Sequence, residues 1–204
     1  MQFEKSVEEN SAGYKKYLLV LMVNTELSQR IETAKKEFYH LYKVPVTFNG
    51  KTNIPLINFL QKELMEEKIC KSLKQIAMAY HPFKVELNGF GSLPSHTIYI
   101  KVQSQQTIKN FVKEIKTVQH LMKADKENKP YFIENCFITV ARKLLPWQYE
   151  EGWLVYQNRD FTGRFMADSV FLLKQPSAGK PFQICQRFEL LNLSVGIKQG
   201  ELFI

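Results

Sequence analysis

One strand-like stretch combines an apolar pattern with a polar residue: Asn135-Cys136-Phe137-Ile138-Thr139-Val140-Ala141-Arg142-Lys143-Leu144. Side chains alternate between the two faces of a β-strand. Ile138 and Val140 therefore share one apolar face, which predicts a buried strand. The other face has a mixed composition and is predicted to line a cleft: Phe137, Thr139 and Ala141. By the same alternation, we expect Arg142 to point away from Thr139.

The stretch resembles a strand motif of the 2H phosphoesterases, a family that includes the bacterial 2′-5′ RNA ligase-like proteins and the cyclic nucleotide phosphodiesterases. Members carry two His-x-Thr/Ser motifs, and the second often continues into Ala-Arg, as in Phe137-Ile138-Thr139-Val140-Ala141-Arg142. A second stretch resembles the first motif, because its apolar residues fall where those of the family do: Asn53-Ile54-Pro55-Leu56-Ile57-Asn58-Phe59. The run from Phe83 to Val102 resembles the central hairpin of the family, with Gly89-Phe90-Gly91-Ser92 as its turn.

The resemblance extends from Tyr17 to Leu191 and implies an α+β, bilobal 2H phosphoesterase-like fold. In such a fold, two antiparallel sheets flanked by helices surround a central cleft. We expect a flexible N-terminus over residues 1–14 and a single bilobal domain over residues 15–204. The apolar periodicity agrees, since period-2 strands alternate with period-3.6 helices. It predicts three long helices and a final hairpin, with these residues on the buried stripe of the first helix: Leu27, Ile31, Ala34, Phe38 and Leu41.

The resemblance also implies which positions would carry catalysis. Family members use two histidines as acid and base without a metal, while two hydroxyl residues hold the phosphoryl oxygens. Here the histidine positions are Asn53 and Phe137, and the hydroxyl positions are Pro55 and Thr139. Phenylalanine has no proton to exchange, and asparagine does not titrate. General acid–base catalysis contributes ~10²–10⁴-fold for a positioned group, so we expect no catalytic residue among these four degenerate positions.

Phosphate binding is the chemistry that the remaining residues can support. The candidates are Thr139, Asn53, Lys101, Tyr99 and Lys143. The formal charge of +8 favours RNA or nucleotide partners, although a generally basic surface would give the same value. The four histidines, His40, His81, His96 and His120, lack the spacing of the motif, and we expect them to face solvent or to make structural hydrogen bonds.

Three functional hypotheses follow. The first is a degenerate, inactive family member that binds a nucleotide or RNA phosphate in the cleft. The second is an active cyclic phosphodiesterase or 2′-5′ RNA ligase that uses non-standard groups. The third is a structural or protein-interaction module without a ligand. Under all three we expect a monomer with no cofactor and no metal, and the absence of Gly-x-Gly-x-x-Gly argues against a dinucleotide-binding enzyme.

The cysteines and the N-terminus indicate a compartment. Cys70, Cys136 and Cys185 are odd in number, and their spacing does not match that of metal ligands. Because they fall in apolar patterns, we expect buried, reduced thiols. The apolar run from Tyr17 to Val23 is too short for a membrane span, and we expect a cytoplasmic protein that does not bind a membrane.

Overall fold

The computed structural model describes residues 13–45 and 51–193. The strands within these ranges are β1 (Tyr14–Met22), β2 (Asn53–Lys62), β3 (Phe83–Leu93), β4 (Thr97–Val102), β5 (Tyr131–Phe132), β6 (Phe137–Arg142), β7 (Thr162–Ala167), β8 (Ser169–Gln175) and β9 (Gln183–Glu189). The helices are α1 (Thr25–Leu41), α2 (Glu66–Ala79), α3 (Gln105–Lys116), α4 (Gln119–Met122) and α5 (Pro146–Tyr156), and a short 3₁₀ turn (Glu63–Met65) precedes α2.

The strands form two separate sheets. One has five strands in the order β5-β2-β1-β8-β9, and the other has four in the order β6-β4-β3-β7. Every pairing of neighbouring strands is antiparallel. The predicted α+β fold with two antiparallel sheets and flanking helices is therefore confirmed. The predicted flexible segment over residues 1–14 lies almost wholly outside the described residues, and β1 begins at Tyr14.

Helix α1 covers the four-stranded sheet with the predicted apolar stripe. Leu27, Ile31, Ala34 and Phe38 are buried, but Leu41, the last residue predicted for this stripe, is 55% exposed. The helix ends at Leu41, and Tyr42 is buried in its place with its ring 4.6 Å from the ring of Phe38. The helical period could not predict that Tyr42 is buried instead of Leu41, because it assumes that the helix continues.

The last third of the chain differs from a simple hairpin. The first half of the predicted hairpin, whose apolar residues alternate from Phe165 to Leu173, belongs to two strands, because β7 ends at Ala167 in one sheet and β8 begins at Ser169 in the other. Asp168 is the only residue between them, and the chain passes there from one lobe to the other. The second half of the prediction is confirmed, since β8 pairs with β9. Similarly, the third predicted helix is divided into α3 and α4.

The segment Gly89–Ser92 is not the turn of the central hairpin. It lies inside β3, and the chain reverses after Leu93 instead. The pairing passes from Leu87–Val102 to Phe90–Ile100, so β3 carries an extra residue at this point. Gly89 has a φ of +66° there, a conformation that glycine adopts without steric cost. Gly89 thus lies in a β-bulge inside a strand, whereas Gly91 pairs regularly with Tyr99.

No helix in the described ranges is long and apolar enough to cross a membrane.

Candidate functional site

A β-bulge in β6 changes which side chains share the predicted cleft face. Ala141 pairs with Ile98 and Thr139 pairs with Tyr99, which leaves Val140 without an opposite residue. Paired residues in adjacent strands lie on the same face of a sheet. Ala141 therefore joins the buried face rather than the face of Thr139, and its side chain is fully buried. The strict alternation predicted from the sequence is wrong beyond Val140.

The same bulge brings Arg142 to the face of Thr139, contrary to the prediction that it points away. Arg142 pairs with Thr97, which shares a face of β4 with Tyr99. Arg142 is exposed, and no ion pair with another described residue holds it. Sequence reasoning missed this placement because a bulge changes the alternation by one residue without leaving a compositional signal.

Four of the predicted residues lie together on the exposed face of β4 and β6. Tyr99 pairs with Thr139 and Lys101 pairs with Phe137. The rings of Tyr99 and Phe137 stack, with their centroids 4.4 Å apart and their planes inclined by 28°. A Cβ added to Gly91 would lie 2.5 Å from the Tyr99 ring, so this ring lies directly over the glycine backbone. We call Tyr99, Lys101, Phe137, Thr139 and Arg142 the β4–β6 face.

The two motif strands meet at Cys136 and Pro55. The Cys136 thiol donates to the Pro55 carbonyl oxygen at 3.6 Å, which joins the start of β6 to β2 across the gap between the sheets. Burial raises the pKa of the Cys136 thiol to about 11, so it stays protonated as a donor near neutral pH. The contact is between strands. The resemblance also implies that the Asn53 and Phe137 side chains face each other across the cleft, and this stays a prediction.

A glutamine on α3 fixes the position of Cys136. Gln105 accepts from the Cys136 backbone N–H at 3.0 Å and donates to the Cys136 carbonyl oxygen at 2.6 Å. The same amide nitrogen donates to the Val102 carbonyl oxygen at 3.0 Å, at the end of β4. One side chain therefore aligns the beginning of the second motif strand with its neighbour.

On β2, the first motif strand, the predicted residues are placed less favourably for phosphate binding than those of the β4–β6 face. The Asn53 amide nitrogen donates to the Lys51 carbonyl oxygen at 2.9 Å, so one of its donors is already engaged. Pro55 follows the expected rule for proline in strands, because it lies beside a bulge at which Leu56 has no opposite residue on β1. Lys143 lies just beyond β6 with a φ of 55°, outside the strand ladder that carries Thr139.

The histidines lie outside both motif strands, and His96 lies beside the end of β6, where its carbonyl oxygen accepts from the Leu144 backbone N–H at 3.1 Å. All four are exposed, and none belongs to β2, β4 or β6. His96 shares a 2.6 Å hydrogen bond with the Thr97 hydroxyl, and the ring of His81 stacks on Tyr80. These placements agree with the expected solvent-facing or structural roles. In the described part of the chain, no cluster of three His, Cys, Asp or Glu side chains is arranged to hold a metal.

Two cavities lie beside α1 rather than on the β4–β6 face. The larger has a volume of about 740 Å³ and is lined by Arg30, Arg164, Glu26 and Glu86 among its charged residues. The smaller, of about 270 Å³, shares Arg30 with it. Neither is lined by a predicted site residue. The sequence offered no signal for these cavities, because their walls come from α1, β3, β7 and loops, which are distant in the chain.

Comparison with known proteins gives a family match and a fold match. Residues 53–178 match the profile of the 2′-5′ RNA ligase superfamily. The protein TT0787 of Thermus thermophilus is similar with a TM-score of 0.61 at 12% identity, over 86% of this chain and 98% of its own. E. coli LigT with 3′-AMP gives a TM-score of 0.60 at 9% identity, over 88% and 99% of the two chains.

The LigT structure with ATP gives a TM-score of 0.63 at 10% identity, over 87% of this chain and 98% of its own. At such identities the structural similarity shows the fold alone. No curated protein sequence matches the chain.

Proposed function

The chain belongs to the 2′-5′ RNA ligase superfamily, and we propose that it binds a nucleotide or RNA phosphate on the β4–β6 face without turning it over. The observation that carries this proposal is the stack of Phe137 on Tyr99, beside Thr139. In the proposed register, Phe137 occupies the position of the second catalytic histidine. An aromatic ring there retains a binding surface but supplies no proton.

Loss of catalysis follows from the absence of titratable groups at both motif positions. Asn53 stands at the first histidine position in the same register, and the family match begins at this residue. Neither an amide nor a phenyl ring exchanges protons near neutral pH. The four histidines are exposed and lie outside the motif strands. His96 lies beside the end of β6, but one nitrogen of its ring is engaged with the Thr97 hydroxyl. In this proposal, no histidine replaces the missing acid and base.

Phosphate binding is supported by the donors that remain. Thr139 offers a hydroxyl. Lys101 on β4 and Arg142 on β6 offer two cations on the same face of the sheet. A guanidinium can hold phosphate through two parallel hydrogen bonds. The net charge of +8 would attract such a ligand, and structures of the similar E. coli LigT contain 3′-AMP and ATP. The stacked rings add a surface on which a nucleobase can lie.

The proposal is tested by titrating the protein with a nucleoside monophosphate and with a short RNA that carries a terminal phosphate. We expect saturable binding that Arg142→Ala weakens about 10–100-fold, since a hydrogen bond to a charged group is worth ~1.5–3 kcal/mol. The matched control is Lys71→Ala, which removes one positive charge from an exposed position on α2. Equal weakening in both variants would show only a general effect of charge, and the proposed site would be wrong.

A second candidate function is protein interaction through α5. This helix exposes Leu154 by 68% and Val155 by 52%, and Trp147 in its first turn is 43% exposed. Large apolar side chains grouped on one exposed helix are typical of interaction surfaces. This function is favoured over phosphate binding if the titrations show no saturable binding and if Leu154→Asp disrupts an assembly that the unmodified protein forms.

A further inference from the structure

Two cysteines that are far apart in the sequence are neighbours in the fold. Cys70 lies on α2 and Cys185 on β9, and these two elements pack against each other. Glu66, one helical turn before Cys70, pairs with Lys174, and Lys174 lies opposite Gln183, two residues before Cys185. This contact brings the two free thiols to the same place between α2 and β9. Both side chains are half-buried, whereas Cys136 is buried. The expectation of three buried thiols is therefore wrong for this pair, which solvent reaches.

The backbone at Cys185 is irregular. Leu172 pairs with Gln186 and Leu173 with Ile184, so Cys185 has no opposite residue on β8. It is the bulged residue of an edge strand, since β9 has only one neighbour in the five-stranded sheet. A bulge interrupts the hydrogen-bond ladder locally. The strand can therefore adjust at this position more easily than a fully paired strand could.

A carboxylate at the start of α2 organises the surroundings of the thiol pair. Glu66 accepts hydrogen bonds from the Tyr17 hydroxyl and from the Lys174 ammonium, each at 2.8 Å. Glu63 also pairs with Lys174 at 2.8 Å. The Cys185 thiol lies near Glu66, because Lys174 joins that carboxylate to β8, the strand that pairs with β9. The groups facing the pair are therefore one ammonium, two carboxylates and one phenol.

These neighbours distinguish the two sulfurs. Burial, together with the neighbouring Glu66 carboxylate, raises the pKa of the Cys185 thiol to about 12. Burial and the negative charge of Glu66 also raise the pKa of Cys70, while the neighbouring Cys185 thiol and Lys174 oppose this effect. Thiolate is the reactive form in oxidation and exchange. Cys70 is therefore the more readily ionised member of the pair.

We propose that Cys70 and Cys185 form a reversible disulfide that links α2 to β9 when the protein meets a peroxide-class oxidant. The Cys70 sulfur attacks one peroxide oxygen, which breaks the O–O bond and gives a sulfenic acid and one water. The Cys185 sulfur then attacks the Cys70 sulfur and displaces a second water. Two thiols and one peroxide thus give one disulfide and two waters, and a dithiol reductant reverses the change.

The test treats the reduced full-length protein with hydrogen peroxide, digests it without reduction and identifies linked peptides by mass spectrometry. We expect a Cys70–Cys185 cross-link, formed faster at alkaline than at neutral pH. Since the link closes a long loop, we also expect a rise in Tm of roughly 5–15 °C that dithiothreitol removes.

Three variants make the result specific. Cys70→Ser and Cys185→Ser should each abolish the cross-link and the rise in Tm, while Cys136→Ser should retain both. Mapping the cross-linked peptides of the unmodified protein tests the proposal even if a variant folds poorly. Oxidation that yields only sulfinic or sulfonic acids, links involving Cys136 or links between molecules would overturn the proposal, as would an unchanged pair at alkaline pH.

Discussion

Phe137 is the residue on which the functional account depends. It lies on the same strand face as Thr139, and its ring is stacked on Tyr99. Its partial exposure means that the ring is available to a ligand as well as to its neighbour. A histidine at this position would have offered a titratable nitrogen near neutral pH. The phenyl ring has no such nitrogen and offers a larger apolar surface instead.

The stack should be measurable as a coupling between the two rings. In a double-mutant cycle, we expect Phe137→Leu and Tyr99→Leu to be non-additive by ~0.5–1.5 kcal/mol, the range found for aromatic pairs. The measurement is the free energy of unfolding from urea titrations of the four proteins. Strictly additive effects would mean that the 4.4 Å separation of the rings carries no specific interaction.

The burial of the Cys136 thiol predicts that the free energy of unfolding depends on pH. Its pKa rises from the ordinary 9.0 to about 11 on folding, because burial disfavours the thiolate. The folded state thus favours the protonated thiol, and the resulting stability is fully present below pH 9.0 and lost as the pH rises through about 11. The contribution is at most about 2–3 kcal/mol.

Cys136→Ser is the matched variant for this prediction, because a serine hydroxyl keeps a donor for Pro55 but does not titrate in this range. The difference in unfolding free energy between the two proteins should shrink at alkaline pH. Other groups that titrate there, such as Tyr156 and Cys185, are common to both proteins and cancel. A difference that is constant with pH would refute the buried, protonated thiol.

At the level of strands and helices, the sequence predicted which segments form elements more reliably than where each side chain points. The apolar patterns of β1, α1 and β6 were sufficient because burial on one face requires a fixed period. The bulges at Gly89 and Val140 were not predictable from these patterns. Each inserts one residue, which exchanges the faces beyond it, and this is why Arg142 was assigned to the wrong side.

The contact between α3 and β6 leads to a prediction about the site. Gln105→Ala should destabilise the protein by ~1–3 kcal/mol, because it leaves the backbone N–H and carbonyl of Cys136 without their partner. It should also weaken phosphate binding, since the β4–β6 face loses its alignment. Urea unfolding and the nucleotide titration measure the two effects.

Gln106→Ala is the control for Gln105→Ala. Its side chain donates only to Asn110 on the exposed side of the same helix at 2.9 Å, so we expect a change within about 0.5 kcal/mol. Equal destabilisation by both substitutions would show that helix propensity, and not the contact with Cys136, determines the result.

For the whole molecule, the resemblance to the family predicted more of the fold than the apolar periodicity of the sequence did. Antiparallel pairing in two sheets followed from it and was confirmed. The passage of the chain from β7 to β8 was not predicted, because period-2 alternation continues across Asp168 although the two strands belong to different sheets. The packing of α2 on β9, the elements that carry Cys70 and Cys185, was missed for a related reason, since sequence spacing does not report which surfaces pack.

The fate of a 2′,3′-cyclic nucleotide tests the central claim most directly. The protein, freed of contaminating nucleases, is incubated in excess with the labelled nucleotide, and bound, free and hydrolysed fractions are separated by chromatography. The same assay applied to a folded Asn53→His, Pro55→Thr, Phe137→His variant should reveal turnover, because two imidazoles and the second hydroxyl are restored. For the unmodified protein we predict bound nucleotide that is recovered chemically unchanged. Metal-independent hydrolysis by the unmodified protein would contradict the account.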